Sequence, residues 1–188
     1  ADVSLSREGC RQAIRLGERL LETYDVEAIY ASPMRRVRET AEILSQMVKV
    51  VPTEEGDLRE LDSGVLSSLT FDEAKNRYPD LMRHDGLPGD CPIPRGESYA
   101  ELHGRVEQVV NRIVGRHPEE QVVVITHGGP IGAYLSAFLG YTGATHGSPR
   151  FSCDAASLHH LRFSERERTV VRLNDTAHLL DLPVESAA

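Results

Sequence analysis

Long apolar runs are missing from this chain. No stretch approaches the roughly 20 residues that a helix needs to cross a bilayer. The start carries no basic-then-apolar leader, which speaks against secretion. Cysteine is sparse: Cys10, Cys91 and Cys153 are odd in number, far apart and never in a CxxC pair. That suits free thiols in a reducing cytoplasm better than a disulfide frame or a zinc site. Lysine occurs only at Lys49 and Lys75, so nearly all the basic charge is arginine. Base-composition bias accounts for that first and anion binding second. A formal net charge of -8 argues against general affinity for nucleic acid or an anionic membrane. Repeats and low-complexity tracts are absent too.

What is present is a globular composition. The chain has 188 residues, 40% hydrophobic and 27% charged, which suits one domain with a real core. Apolar or small residues at Cys10, Ala13, Ile14, Gly17, Leu20, Leu21 and Tyr24 form one helical face from Ser6 to Tyr24, with Ser6 as cap. Glu27 to Ala31 reads as a short strand, and Pro33 as the first turn of a helix through Val37, Ala41, Leu44 and Met47. Val48 to Val51 reads as a further strand. From Glu54 to Arg95 the chain is irregular, with one short helix over Phe71 to Tyr78. Ser98 to Glu101 is a capping box that opens a helix with Leu102, Val106, Val109, Val110, Ile113 and Val114 on its buried face. Gln121 to Thr126 reads as a strand buried on both faces, followed by a helix from Pro130 to Leu139. Two last strands are expected at Ser157 to Phe163 and Thr169 to Leu173. Alternating helices and buried strands predict an α/β three-layer domain with a mostly parallel central sheet, spanning residues 1–188.

Three places can carry chemistry. At Thr126-His127-Gly128-Gly129-Pro130 a strand ends in a histidine and a helix begins at once. Ligands of open α/β sheets bind beyond the carboxyl ends of strands, and helix N-termini offer free N–H groups to anions. His127 and Gly128 are therefore placed to touch a phosphate or carboxylate, against the alternative of a structural histidine. At Tyr30 to Ala41 another strand end meets a helix bearing Arg35, Arg36 and Arg38. Arg36 lies over the turn that faces the strand end, and a guanidinium matches phosphate oxygens in pairs. Arg35 and Arg38 read as a solvated face paired with Glu39 and Glu42. Asp57 to Gly64 is an acidic loop, one of whose carboxyls could serve as a proton donor; composition alone favours a plain acidic loop.

Taken in order, these segments resemble one family. Leu5-Ser6-Arg7-Glu8-Gly9-Cys10-Arg11-Gln12-Ala13 is similar to a first-helix pattern LTxxGxxQA, and Ala31 to Ala41 to SPLxRAxxTA. Leu58-Arg59-Glu60-Leu61-Asp62-Ser63-Gly64, Gly96-Glu97-Ser98, Thr126-His127-Gly128 and Asn174 to Leu179 resemble the acid loop, the GES helix start, the second-histidine motif and the tail. The family is the histidine phosphatase superfamily, phosphoglycerate mutase-like, with a middle segment similar to the fructose-2,6-bisphosphatase branch. The resemblance implies that Arg36, His127 and Gly128 hold a phosphoryl group and that Glu60 is the general acid. It implies no metal and no cofactor, and a small phosphorylated metabolite as partner; a homo-oligomer stays open. Arg83, His84 and Arg95 are weaker candidates for contacts beyond the phosphate.

The family's nucleophile is the histidine of an Arg-His-Gly motif that ends a first strand, upstream of the first helix. Here the sequence begins at Ala1, four residues before that helix pattern. Arg83-His84-Asp85-Gly86 follows no strand and reads as coincidence. A sheet lacking the first strand would expose a central edge and leave a slot in the core. The expectation is a cytoplasmic phosphomonoester hydrolase with its nucleophilic histidine upstream of Ala1. Two alternatives stand beside it: a catalytically silent phosphate-binding domain of the same fold, and a mutase. Val65-Leu66-Ser67-Ser68 replaces a Trp-Glu-Gly segment common in relatives, which bears on substrate choice.

Overall fold

Ser6 ends an extended N-terminal segment, and its Oγ accepts the Gly9 N–H at 3.0 Å, starting helix α1 (Arg7–Thr23). A computed structural model gives the architecture, and it describes residues 2–81, 93–141, 150–164 and 166–182. After α1 come strand β1 (Val26–Ala31), helix α2 (Arg35–Val48) and strand β2 (Pro52–Glu54). Two 3-10 turns, Gly56–Leu58 and Gly64–Leu66, lead to the short helix α3 (Phe71–Arg77). Helix α4 (Tyr99–Arg116), strand β3 (Gln121–Ile125) and helix α5 (Gly128–Phe138) follow, then strands β4 (Leu158–Phe163) and β5 (Arg168–Asp175).

β1, β2 and β3 form a parallel sheet in the order β2-β1-β3, while β4 and β5 pair antiparallel as a separate ribbon. The period-2 alternation of strands then sorts the layers. Val123 and Ile125 of β3 pack with Ala13, Leu16, Leu20 and Leu44 from α1 and α2. Val122 and Val124 turn the other way, to Val109 and Ile113 of α4. Helices thus cover both faces of the sheet, as the expected three-layer architecture requires.

Three expectations need correction. The strand placed at Val48 to Val51 lies at Pro52–Glu54 instead. Val48 is still helical, Lys49 takes the left-handed cap conformation (φ 62°), and its N–H returns to the Ser45 carbonyl. The chain therefore pairs with Ile29 to Ala31 three residues later than hydrophobicity suggests. Pro33 lies just ahead of α2, whose cap is Met34; with no side-chain oxygen there, Asp2 Oδ1 accepts the Arg35 N–H at 2.6 Å. Finally, β3 is covered on both faces but not fully buried: Val122 to Ile125 are half-buried.

The reason is the edge of β3. Among the described residues it pairs with β1 alone, and residues of β3 and β4 line a cavity of about 1940 Å³. Val123 and Ile125 of β3, Leu158 and Leu161 of β4, Leu16 and Pro130 are among its walls. Small-molecule pockets occupy about 300–1,000 Å³, so this is a channel through the core rather than a ligand pocket alone.

Candidate active site

Parallel pairing of β1 and β3 aligns Ala31 with Ile125, so both strands end at the same level. The next residues of each chain segment meet there: the Ser32 N–H donates to the Ile125 carbonyl at 3.0 Å. Ser32 is fully buried and His127 nearly so. His127 Nε2 lies 2.8 Å from Ser32 Oγ, and its Nδ1 lies 2.8 Å from Arg36 Nη2. Arginine can only donate, so Nδ1 is the acceptor and the ring proton sits on Nε2, directed at Ser32. Burial first, then the charges of Arg36 and Arg105, push the His127 pKa down to about 4, with Asp2 opposing weakly. At neutral pH the imidazole is neutral beside a fixed guanidinium.

His127 is also the cap of α5, whose first residues Gly128 and Gly129 bring backbone N–H groups to the same place. The acid loop arrives from the other side. Thr126 Oγ1 donates to the Leu58 carbonyl at 2.7 Å, tying the loop's base to the end of β3. Glu60 Oε2 then accepts the Gly129 N–H at 3.4 Å, and Oε1 accepts the N–H of Leu61 at 2.8 Å. Glycine at 129 lets the carboxyl approach: a Cβ there would stand 2.1 Å from Glu60 Oε1 and push it aside. Cys153 and Tyr99 form the surroundings of Glu60. Burial, with the Asp154 and Glu60 carboxylates, raises the Cys153 pKa and keeps it a thiol. Burial likewise raises the pKa of Tyr99.

The structure therefore brings Arg36, His127, Gly128 and Glu60 together at the carboxyl end of the sheet. Arg36, Glu60, His127 and Gly128 all line the cavity that runs beside β3. Arg35 is exposed and pairs with Glu39 at 3.0 Å, as expected. Arg38 is exposed too, but its partner is Glu54 at 3.9 Å rather than Glu42, because β2 passes alongside α2. Arg95 is exposed on the turn before α4, in a left-handed conformation (φ 61°), and is not among the residues lining the cavity. Arg83 and His84 lie outside the described residues. Sequence reasoning gave no role to Ser32 or Gly129; both sit inside motifs already singled out, but only the three-dimensional contacts show their tasks. Among the described residues no cluster of three or more His, Cys, Asp and Glu is grouped as a metal site, and Cys10 and Cys153 are free. No helix of the described residues is long and apolar enough to cross a membrane.

A guanidinium, a buried histidine, a helix N-terminus and a carboxylate face one cleft, a set able to hold an anion and move a proton. The chain belongs to the histidine phosphatase superfamily (branch 1), which it matches over residues 1–176, and its class is that family's phosphoric monoester hydrolases. It is 31% identical to phosphoserine phosphatase 1 of Hydrogenobacter thermophilus, over 98% of this chain and 87% of that one. It is 28% identical to a metal-independent phosphoserine phosphatase of Arabidopsis thaliana, over 93% of this chain and 72% of the relative. Among solved structures, Bacillus stearothermophilus YhfR superposes with a TM-score of 0.83 at 28% identity, covering 95% of this chain and 88% of that one.

Proposed function

We propose that this chain forms the body of a phosphatase that hydrolyses small phosphomonoesters through a phosphohistidine intermediate, its nucleophilic histidine lying upstream of Ala1. The observation that carries the proposal is the meeting of Arg36, His127 and Glu60 beside the open edge of β3. Among the described residues β3 has no partner on its far edge, and a strand lying parallel to it in the cavity would end near the level of Ser32 and His127. Asp2 and Leu5 support that route. Asp2 caps α2, and the Leu5 N–H reaches Glu39 Oε2 at 2.6 Å, so the N-terminal segment already lies against the Arg36 helix.

The chemistry follows from the positions. Arg36 and His127 hold the non-bridging phosphoryl oxygens, and the Gly128 N–H adds to the positive end of α5. The nucleophilic imidazole attacks phosphorus while the P–O bond to the leaving group breaks. Glu60, in its acid form, passes its proton to the departing oxygen, which leaves as an alcohol. The resulting Glu60 carboxylate then takes a proton from water, whose oxygen attacks phosphorus; the P–N bond breaks and inorganic phosphate departs. An arginine-built pocket inside a chain of net charge -8 suits a compact phosphate better than a polyanion. The relatives named as phosphoserine phosphatases point to a phosphorylated hydroxy or amino acid as the substrate class.

Phosphate release from phosphoserine and 3-phosphoglycerate by the full-length protein tests the proposal. Steady turnover of either, lost in Glu60→Gln and in His127→Ala, is the expected result. Binding of phosphate without turnover would replace it with a silent binding domain, and isomerisation of phosphoglycerate without net release would replace it with a mutase.

A further inference from the structure

The acid loop is held by a side chain to which the chemistry above gives no part. Arg105, on the second turn of α4, donates through Nη1 to the Asp57 carbonyl at 2.7 Å and through Nη2 to the Glu60 carbonyl at 3.3 Å. Its Nε and Nη2 also reach the two carboxylate oxygens of Glu97, at 2.5 and 2.8 Å. The pair is largely shielded from solvent: the Arg105 side chain is 21% exposed and that of Glu97 14%. Glu97 in turn grips the loop, its N–H donating to the Asp62 carbonyl at 2.9 Å and its Oε2 accepting the Asp62 N–H at 3.4 Å. Just beyond, the backbones of Gly64 and Gly96 touch. A Cβ on Gly64, which is left-handed (φ +43°), would stand 2.3 Å from the Pro94 carbonyl oxygen.

We propose that Arg105 is a positioning residue for the proton donor: its guanidinium, locked by Glu97, sets the backbone of Glu60 and so the place of the Glu60 carboxyl against Gly129. This rests on the assignment of Glu60 as general acid. The planar fork is essential, because a lysine ammonium is a point charge that cannot span two carbonyls and a carboxylate at once. The same guanidinium lies near enough to His127 to help keep that imidazole neutral.

The test exploits leaving groups. An alkyl phosphomonoester such as phosphoserine needs a proton on the departing oxygen, whereas p-nitrophenolate leaves without one. Arg105→Lys lowers kcat/KM for phosphoserine by about 10²-fold, the scale of a displaced catalytic group, with KM little changed. Its kcat/KM for p-nitrophenyl phosphate, which reports only the steps through departure of the leaving group, stays near that of the unaltered protein. Glu97→Gln, which keeps the shape of the site, moves both substrates in the same directions by smaller factors. Equal losses on the two esters, or none, overturn the proposal. If Glu60→Gln itself lacks the selectivity while Arg105→Lys is inert, both the acid assignment and the positioning role fail; if only Arg105→Lys lacks it, the positioning role alone fails. If the unaltered protein turns over neither ester, the hydrolase assignment fails, and amide exchange decides for Arg105. Faster exchange at Leu61 and Gly64 alone in Arg105→Lys supports the clamp, and unchanged exchange there overturns it.

Discussion

Arg36 Nη2 stands 2.8 Å from His127 Nδ1 and leaves that nitrogen no role but acceptor. One arginine thereby chooses the tautomer of a histidine 91 residues away. The remaining ring proton is delivered to Ser32 Oγ, at the buried junction of β1 and β3. Arg36, His127 and Ser32 are thus held together by the fold itself.

His127 titrates near pH 4 in the folded protein, below its ordinary value of 6.5. Between those values the unfolded chain takes up the proton first. The contribution of His127 to stability is therefore complete above pH 6.5 and is lost as the pH falls toward 4. Following the imidazole C–H resonances against pH gives a midpoint near 4, and adding phosphate moves it upward. A midpoint near 6.5, unaffected by phosphate, contradicts the arrangement.

Ser32→Ala strands the His127 Nε2–H in a site where both residues are buried. An unmet buried donor costs about 1–3 kcal/mol, and urea unfolding should show a loss of that size. A variant as stable as the parent means that Nε2 has another acceptor.

The fold was largely legible in the sequence because its signals are local. Ser6, Ser98 and Glu101 mark helix starts by their own side chains, and the capping box forms as read. Arg36 and His127 were legible too, since each follows a strand end and opens a helix. The displaced β2 was not: Lys49 adopts a left-handed cap with no glycine to announce it, so the apolar Val48 to Val51 misled. Arg105 was equally hidden. Its neighbours come from two separate segments, Asp57 and Glu60 from the acid loop and Glu97 from the turn before α4, and nothing on α4 itself distinguishes it from a solvated arginine.

Gly129→Ala adds one methyl group where Glu60 Oε1 would lie 2.1 Å away. Alanine is the better helix former by about 1 kcal/mol, so α5 does not suffer for propensity. The displaced carboxyl should lower kcat for phosphoserine by about 10²-fold while phosphate still binds through Arg36 and His127. Weakened phosphate binding with kcat intact would place Glu60 on the binding side of the site instead.

The phosphohistidine route is tested most directly by intact mass. The full-length protein is mixed with a phosphomonoester, quenched at high pH where phosphohistidine survives, and weighed beside an untreated sample. The expected result is a gain of one phosphoryl group, lost again on acidification, carried by a histidine upstream of Ala1, and smaller in Glu60→Gln, which forms the intermediate more slowly. A chain that releases phosphate yet never gains that mass would contradict the route, and one that neither releases nor gains it would leave Arg36 and His127 as a phosphate-binding site alone.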